Sequence, residues 1–392
     1  AVLCSHTGRG LRDHRYLMTL EASRVTLARQ RAGLSKSALA HKTGTTPRTV
    51  TTWESAGPPS SRLHQIATIT GMPPEFFSTK EIDLLEEKQL FFRARRRSPS
   101  ALLRRSTAFG ALGVEFYRSI SKHFRTPALS LLDTEFRNSS QEAAMALRLA
   151  WGMGLEPAPN LVQMAEAHGI RVLGIPLADV KVDAFSFWSA DGRPFIFLSR
   201  VKTAERSRFD LAHEIGHLIL HSDVTRTEEA TDRQIEHEAN IFAAEFLLPT
   251  ESLRAKLSSP PSLDTLMKIK ITYGTSAIAT ARSIYDAGLL SDWGYRQMLA
   301  TLTTRGFHHG EPGSMLPYEK SRVFSTVNDH LRSRGLSVSD WARTIGQRPD
   351  DVTGFMLGQA LHAAPDTGTE SSLENSGSEE HPTVRPTLQI VK

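Results

Sequence analysis

The sequence predicts a multidomain chain, mainly α-helical with an α+β core, and three observations carry that reading. Its 392 residues are too many for one hydrophobic core, since domains usually hold about 100–150 residues. Apolar residues recur at helical spacing in separate stretches, notably 24–78, 209–248 and 263–300. Two β-rich runs, Asp183 to Trp188 and Arg193 to Leu198, flank Asp191-Gly192, a hairpin signal, and Val172 to Ile175 reads as a further short strand after a helical stretch at 160–168.

Composition narrows the function classes. Hydrophobic residues at 40% and charged residues at 23% exclude collagen-like, coiled-coil and wholly disordered chains. A single cysteine, Cys4, excludes an intrachain disulfide framework and any all-cysteine metal site. With no apolar run of membrane-spanning length and no apolar segment behind Arg9, Arg12 and Arg15, a cytoplasmic protein without a membrane partner is expected. Residues 1–17 read as an extension ahead of the patterned segment that opens at Met18.

Charge is uneven. The net charge is +5, yet residues 1–105 hold 18 Lys/Arg against 8 Asp/Glu, a surplus of ten, which leaves the remainder at −5. A polyanion-binding N-terminal part is the expectation, with nucleic acid as the usual partner. Arg93, Arg95, Arg96, Arg97, Arg104 and Arg105 supply much of that surplus and mark 81–158 as a basic helical linker.

Within residues 18–80, Ser35 is a good N-cap, and Leu34, Ala38 and Leu39 repeat at helical spacing. Gly44 sits where a tight turn needs positive φ, and Val50 and Trp53 resume the apolar pattern. Thr46, Arg48, Thr49 and Thr52 fall on the outer side of the second helix, where hydroxyls and a guanidinium can reach phosphates and base edges of double-stranded DNA. The run Gly33-Leu34-Ser35-Lys36-Ser37-Ala38-Leu39-Ala40 with Gly44, Val50 and Trp53-Glu54 resembles the XRE/Cro-type helix-turn-helix family. That resemblance implies a DNA reader, with a homodimer on paired half-sites.

The second motif is His213-Glu214-Ile215-Gly216-His217. At about 100° per residue, Leu211, Ile215, Leu218 and Ile219 share one helix face while His213 and His217 lie on the other. Two imidazoles one turn apart suit Zn²⁺, which needs a third protein ligand and an open position for catalysis. Glu214, beside the pair, is the expected general base. Downstream, Ile235, Ala239, Phe242 and Phe246 form the inward stripe of a helix closed by Pro249. Glu236 and Glu238 flank that stripe on opposite sides, so periodicity disfavours His237 without choosing between the carboxylates.

Arg208-Phe209, the His213 to His217 motif with His221, Glu238-Ala239-Asn240, Phe242-Ala243-Ala244 and Leu247-Leu248-Pro249 together resemble the ImmA/IrrE metallopeptidase family. The resemblance covers roughly 159–300 and implies a gluzincin-like zinc peptidase core at 159–252, completed by a helical module at 253–305. It implies Glu238 as third zinc ligand and Ala184–Trp188 as a sheet edge that aligns an extended polypeptide. His221 continues the same helix face one turn on and reads as a hydrogen-bonded neighbour rather than a ligand. It further implies a substrate that is a regulatory protein, typically a helix-turn-helix repressor.

Residues 335–353 realign with 33–51 at an offset of 302, identical at nine of nineteen positions. A second helix-turn-helix-like module is expected at 306–360. Asp350 and Asp351 stand where the first copy has Arg48 and Thr49, so a contact or structural role is expected there instead of phosphate binding. Residues 361–392 turn to Thr, Ser, Gly and Glu and read as a disordered tail. The expected whole is a DNA-binding regulator with a zinc endopeptidase that cleaves a repressor; the alternative is a transcription factor whose protease-like domain senses a metal or ligand and never cleaves.

Overall fold

The computed structural model describes residues 20–92, 100–132, 139–176, 182–221, 232–314, 316–359 and 389–390. The expected extension at 1–17, the arginines at 93, 95, 96 and 97, and nearly all of the expected tail lie outside the described residues. The chain divides into two compact units, Ala1–Asp83 and Leu84–Lys392.

In the first unit, α1 (Ala22–Arg31), α2 (Lys36–Thr43), α3 (Pro47–Ala56) and α4 (Leu63–Thr70) enclose Val25, Leu39, Val50, Ile66, Phe76 and Phe77, all fully buried. Ser35 caps α2 by accepting from the Ala38 N–H at 3.0 Å, and Thr46 caps α3 by accepting from the Thr49 N–H at 3.2 Å, ahead of Pro47. Gly44, at φ 65°, turns the chain between them. Glu54 on α3 receives Arg29 from α1 and Lys36 from α2, the latter at 3.2 Å, so one buried carboxylate ties three helices together.

The second unit opens with β1 (Phe91–Phe92), α5 (Ser100–Ser121), β2 (Phe124–Arg125), α6 (Ser140–Ala150) and α7 (Leu161–Ala167). β3 (Arg171–Gly174), β4 (Ala184–Trp188) and β5 (Pro194–Leu198) follow, then α8 (Ala204–Leu220) and α9 (Asp232–Leu247). The helices α10 (Thr250–Lys256), α11 (Leu263–Tyr273), α12 (Ala277–Asp286) and α13 (Asp292–Thr304) build a satellite core around Leu266, Ile269, Ala281 and Ile284. Last come α14 (Arg322–Ser333), α15 (Val338–Thr344), α16 (Pro349–Phe355) and β6 (Gln389–Ile390). β6 pairs antiparallel with β2, so two residues of the expected tail take part in regular structure.

The four-stranded sheet has the order β1-β4-β5-β3, with β3 parallel to β5 and the other pairs antiparallel. Its residues alternate in role as a pleated strand requires. Phe185, Phe187, Phe195 and Phe197 stack on one face, their neighbouring ring centroids 4.7–6.5 Å apart. Against that face lies α5, where a Cβ added to Gly113 would stand 2.4 Å from the Phe197 ring. The other face carries Ser186 and packs against α8.

Two expectations are corrected here. Residues 81–158 are no linker: most of α5 is buried, with Gly110 and Gly113 set against the sheet's phenylalanines, and α6 packs on α8 and α9. Gly110 and Gly113 on α5 admit the stacked phenylalanines, a packing role that charge counting does not reveal. Nor is Ala184–Trp188 an edge, because β1 pairs with it. The helices of the sequence repeat at 335–353, α15 and α16, also join this core. Phe355 meets Phe109, Phe116 and Phe197, and the Gln347 side chain donates to the Leu112 carbonyl at 3.1 Å.

Candidate metal centre

Helix α8 starts at the cap Thr203, whose hydroxyl accepts from the Arg206 N–H at 3.3 Å, and everything from Asp210 to Leu220 is buried. The polar residues of that stretch are therefore not on a solvent-facing side. His213 and His217 face α9, which approaches closely because position 216 is glycine: a Cβ there would lie 3.0 Å from the Phe242 ring.

His213, His217 and Glu236 come together across these helices, the imidazoles buried and the carboxylate partly so, with their ligand atoms within 4.8 Å of one another. The two Nε2 atoms are 3.1 Å apart, and the Glu236 carboxylate oxygens stand 3.4 Å from His213 Nε2 and 3.5 Å from His217 Nε2. Two donors on a tetrahedral zinc ion, each about 2.0–2.1 Å from it, are roughly 3.3–3.4 Å apart. The donor set fits a divalent metal in chemistry and in spacing.

Glu238, the ligand implied by the family resemblance, is elsewhere. Its Oε2 lies 3.0 Å from His221 Nε2, and Gln234 donates to its Oε1 at 3.0 Å. Two residues along a helix turn a side chain by about 200°, so only one of the two carboxylates can face the His213–His217 pair, and α9 is set with Glu236 there. His221 in turn places its Nδ1 3.1 Å from His217 Nδ1.

The electrostatics follow the geometry. Burial alone would raise the Glu236 carboxyl, but its contacts with the His213 and His217 imidazoles outweigh it and hold the group well below the usual carboxylate range. Burial, helped by His217, pushes the His221 ring down to about 4 against the pull of Glu238, so it is neutral at pH 7.

Glu214 is buried beside the pair, and its Oε2 accepts a 2.5 Å hydrogen bond from the Ser186 hydroxyl on β4. Sequence reasoning passed over Ser186. Its signal is one hydroxyl within the aromatic run Ala184-Phe185-Ser186-Phe187-Trp188. A cavity of about 620 Å³ opens one helical turn from the ligand positions, lined by Phe209, Asn240, Ile241, Leu248, Ile278 and Tyr295 among others.

This constellation lies inside a stretch that matches a family model. Residues 165–285 match the family model of the IrrE N-terminal-like domain, Peptidase M78. The match takes in β3 to β5, both metal-site helices and most of the following helical module, and it marks a metallopeptidase-like domain. No curated protein matches the chain.

The residues expected to touch DNA lie in the first unit. Thr46, Arg48 and Thr52 are exposed and Thr49 is partly so. Thr46 is committed in part to its cap, and its hydroxyl meets that of Thr49 at 2.9 Å, while the Thr52 hydroxyl donates back to the Arg48 carbonyl at 3.2 Å. Arg48 is the residue of this set whose side chain projects charge into solvent. Among the described residues no helix is long and apolar enough to cross a membrane.

Proposed function

We propose that the chain is a DNA-binding transcriptional regulator whose second unit is a zinc-dependent endopeptidase acting on a regulatory protein, a helix-turn-helix repressor by the family resemblance. The observation that carries the reading is the spacing of His213, His217 and Glu236, with a buried carboxylate, Glu214, held beside them by Ser186. A purely structural zinc site closes with four protein ligands and has no use for a neighbouring base.

In this scheme His213, His217 and Glu236 hold the ion. Zinc bound there supplies Lewis acidity at the peptide carbonyl and acidifies the attacking water. Glu214 takes the proton of that water and returns it to the leaving amine. Ser186 fixes the carboxylate that does so. Arg48 at the N-terminal end of α3 serves the duplex, with Thr46, Thr49 and Thr52 around it.

Comparing protein N-termini in cells that express the wild-type chain or Glu214→Gln tests the peptidase. New termini from a transcription regulator should arise with wild type alone. Identical sets of termini, with zinc bound in both chains, would reject proteolysis and favour a sensor.

A further inference from the structure

The strand beside the metal centre already has an occupant. β1 pairs antiparallel with β4, Phe91 opposite Ser186 and Phe92 opposite Phe185. Residues directly opposite in an antiparallel pair send their side chains to the same face. Phe91 therefore shares the face on which Ser186 bonds Glu214, and its ring lies flat on His217, the centroids 5.4 Å apart and the planes within 6°. The same ring is 6.5 Å from His221. Leu90, just before it, is fully buried.

An extended polypeptide that adds a strand to a sheet edge gains affinity from main-chain hydrogen bonds and specificity from alternate side chains. Here the segment Leu90–Phe92 takes that place. It meets β4 through main chain, sets an aromatic side chain against a metal-site imidazole, and is anchored by a buried leucine. Among the described residues the pairing spans Phe91 and Phe92, and an extended segment running the length of β4 would make more main-chain hydrogen bonds than that pair does. In sequence, this segment begins seven residues after the end of the first unit.

We propose that Leu90–Phe92 is an intramolecular occupant of the substrate strand site, which keeps the peptidase closed until the segment is displaced. The inference rests on the peptidase reading above. It also defines what the site accepts: an extended segment with an apolar or aromatic side chain over His217. If the site is open in about a tenth of molecules, the apparent affinity for such a segment is reduced about tenfold.

The test uses the full chain loaded with zinc, as wild type, Phe91→Ala and Phe91→Tyr, the last of which keeps a ring over His217. Two probes are titrated: acetohydroxamate, which needs only the metal, and a leucyl-phenylalanine hydroxamate, which also needs the strand site. The expected result is about tenfold tighter binding of the peptidyl probe to Phe91→Ala than to the other two chains, with acetohydroxamate equal in all three. Equal affinity of the peptidyl probe for all three chains overturns the proposal. If acetohydroxamate binds none of them, the metal-peptidase reading is what fails. Amide exchange at Ala184–Trp188 then decides the occupancy: faster exchange in Phe91→Ala upholds it, and unchanged exchange removes it.

Discussion

His217 and His221 face each other through their Nδ1 atoms, 3.1 Å apart. Such a contact needs one N–H and one lone pair, and the far side of His221 settles which ring gives which. His221 Nε2 lies 3.0 Å from a Glu238 carboxylate oxygen, which only accepts, so that nitrogen carries the proton. A neutral His221 then has a lone pair at Nδ1 and accepts from His217 Nδ1–H. His217 is left with its lone pair at Nε2, the atom that faces His213 and Glu236. Glu238 thus acts on the candidate metal site at one remove, through two imidazoles, the place that outer partners of metal-ligating histidines commonly take.

Lys270 should be the most sensitive charged residue of the second unit's framework. Its ammonium is buried between Glu205, at 2.8 Å, and Glu311, at 3.2 Å, and the Glu311 carboxylate also accepts from the first N–H of α12. Lys270→Met strands two buried carboxylates and should cost about 3–5 kcal/mol in denaturant unfolding. Adding Glu205→Gln and Glu311→Gln should recover much of that loss; no recovery would mean that the lysine contributes through packing alone.

Glu166 gives the second unit a pH dependence of its own. It accepts from the Ser321 hydroxyl and from the N–H groups of Arg322 and Val323 at the start of α14, yet burial dominates and raises it to about 7. Its folded-state value lies above the ordinary 4.5, so the folded state binds the proton more tightly and stability falls as pH rises from about 4.5 to 7. Relative to Glu166→Gln, the wild type should lose up to about 3 kcal/mol between pH 4.5 and pH 8. Parallel stability curves for the two chains would contradict this.

Arg48→Ala tests the DNA face proposed for the first unit. On a random-sequence duplex the variant should bind more weakly, and the slope of log affinity against log salt should shrink by about one, since one phosphate contact is removed. An unchanged slope would take Arg48 off the backbone.

How much of this was legible in the sequence varied with the range of the interaction involved. The meeting of His213 and His217 follows from spacing on one helix, and the β4–β5 hairpin from Asp191-Gly192, with Gly192 at φ 67°. The choice between Glu236 and Glu238 depends on how α9 is rotated against α8, which is set by Phe242 meeting Gly216 and is invisible to periodicity. β1 is too short for any alternation to show, so the cover on β4 was missed. Residues 81–158 were misjudged because their charge is conspicuous, whereas Gly110 and Gly113, which seat α5 on the phenylalanine stack, are not.

Zinc affinity of Glu236→Ala and Glu238→Ala, measured beside wild type by competition with a chelator, tests the centre most directly. Wild type should hold one zinc per chain and Glu236→Ala should lose it, while Glu238→Ala should keep it with affinity weakened by about 10–100-fold. The reverse pattern, zinc retained without Glu236 and lost without Glu238, would contradict the site described here.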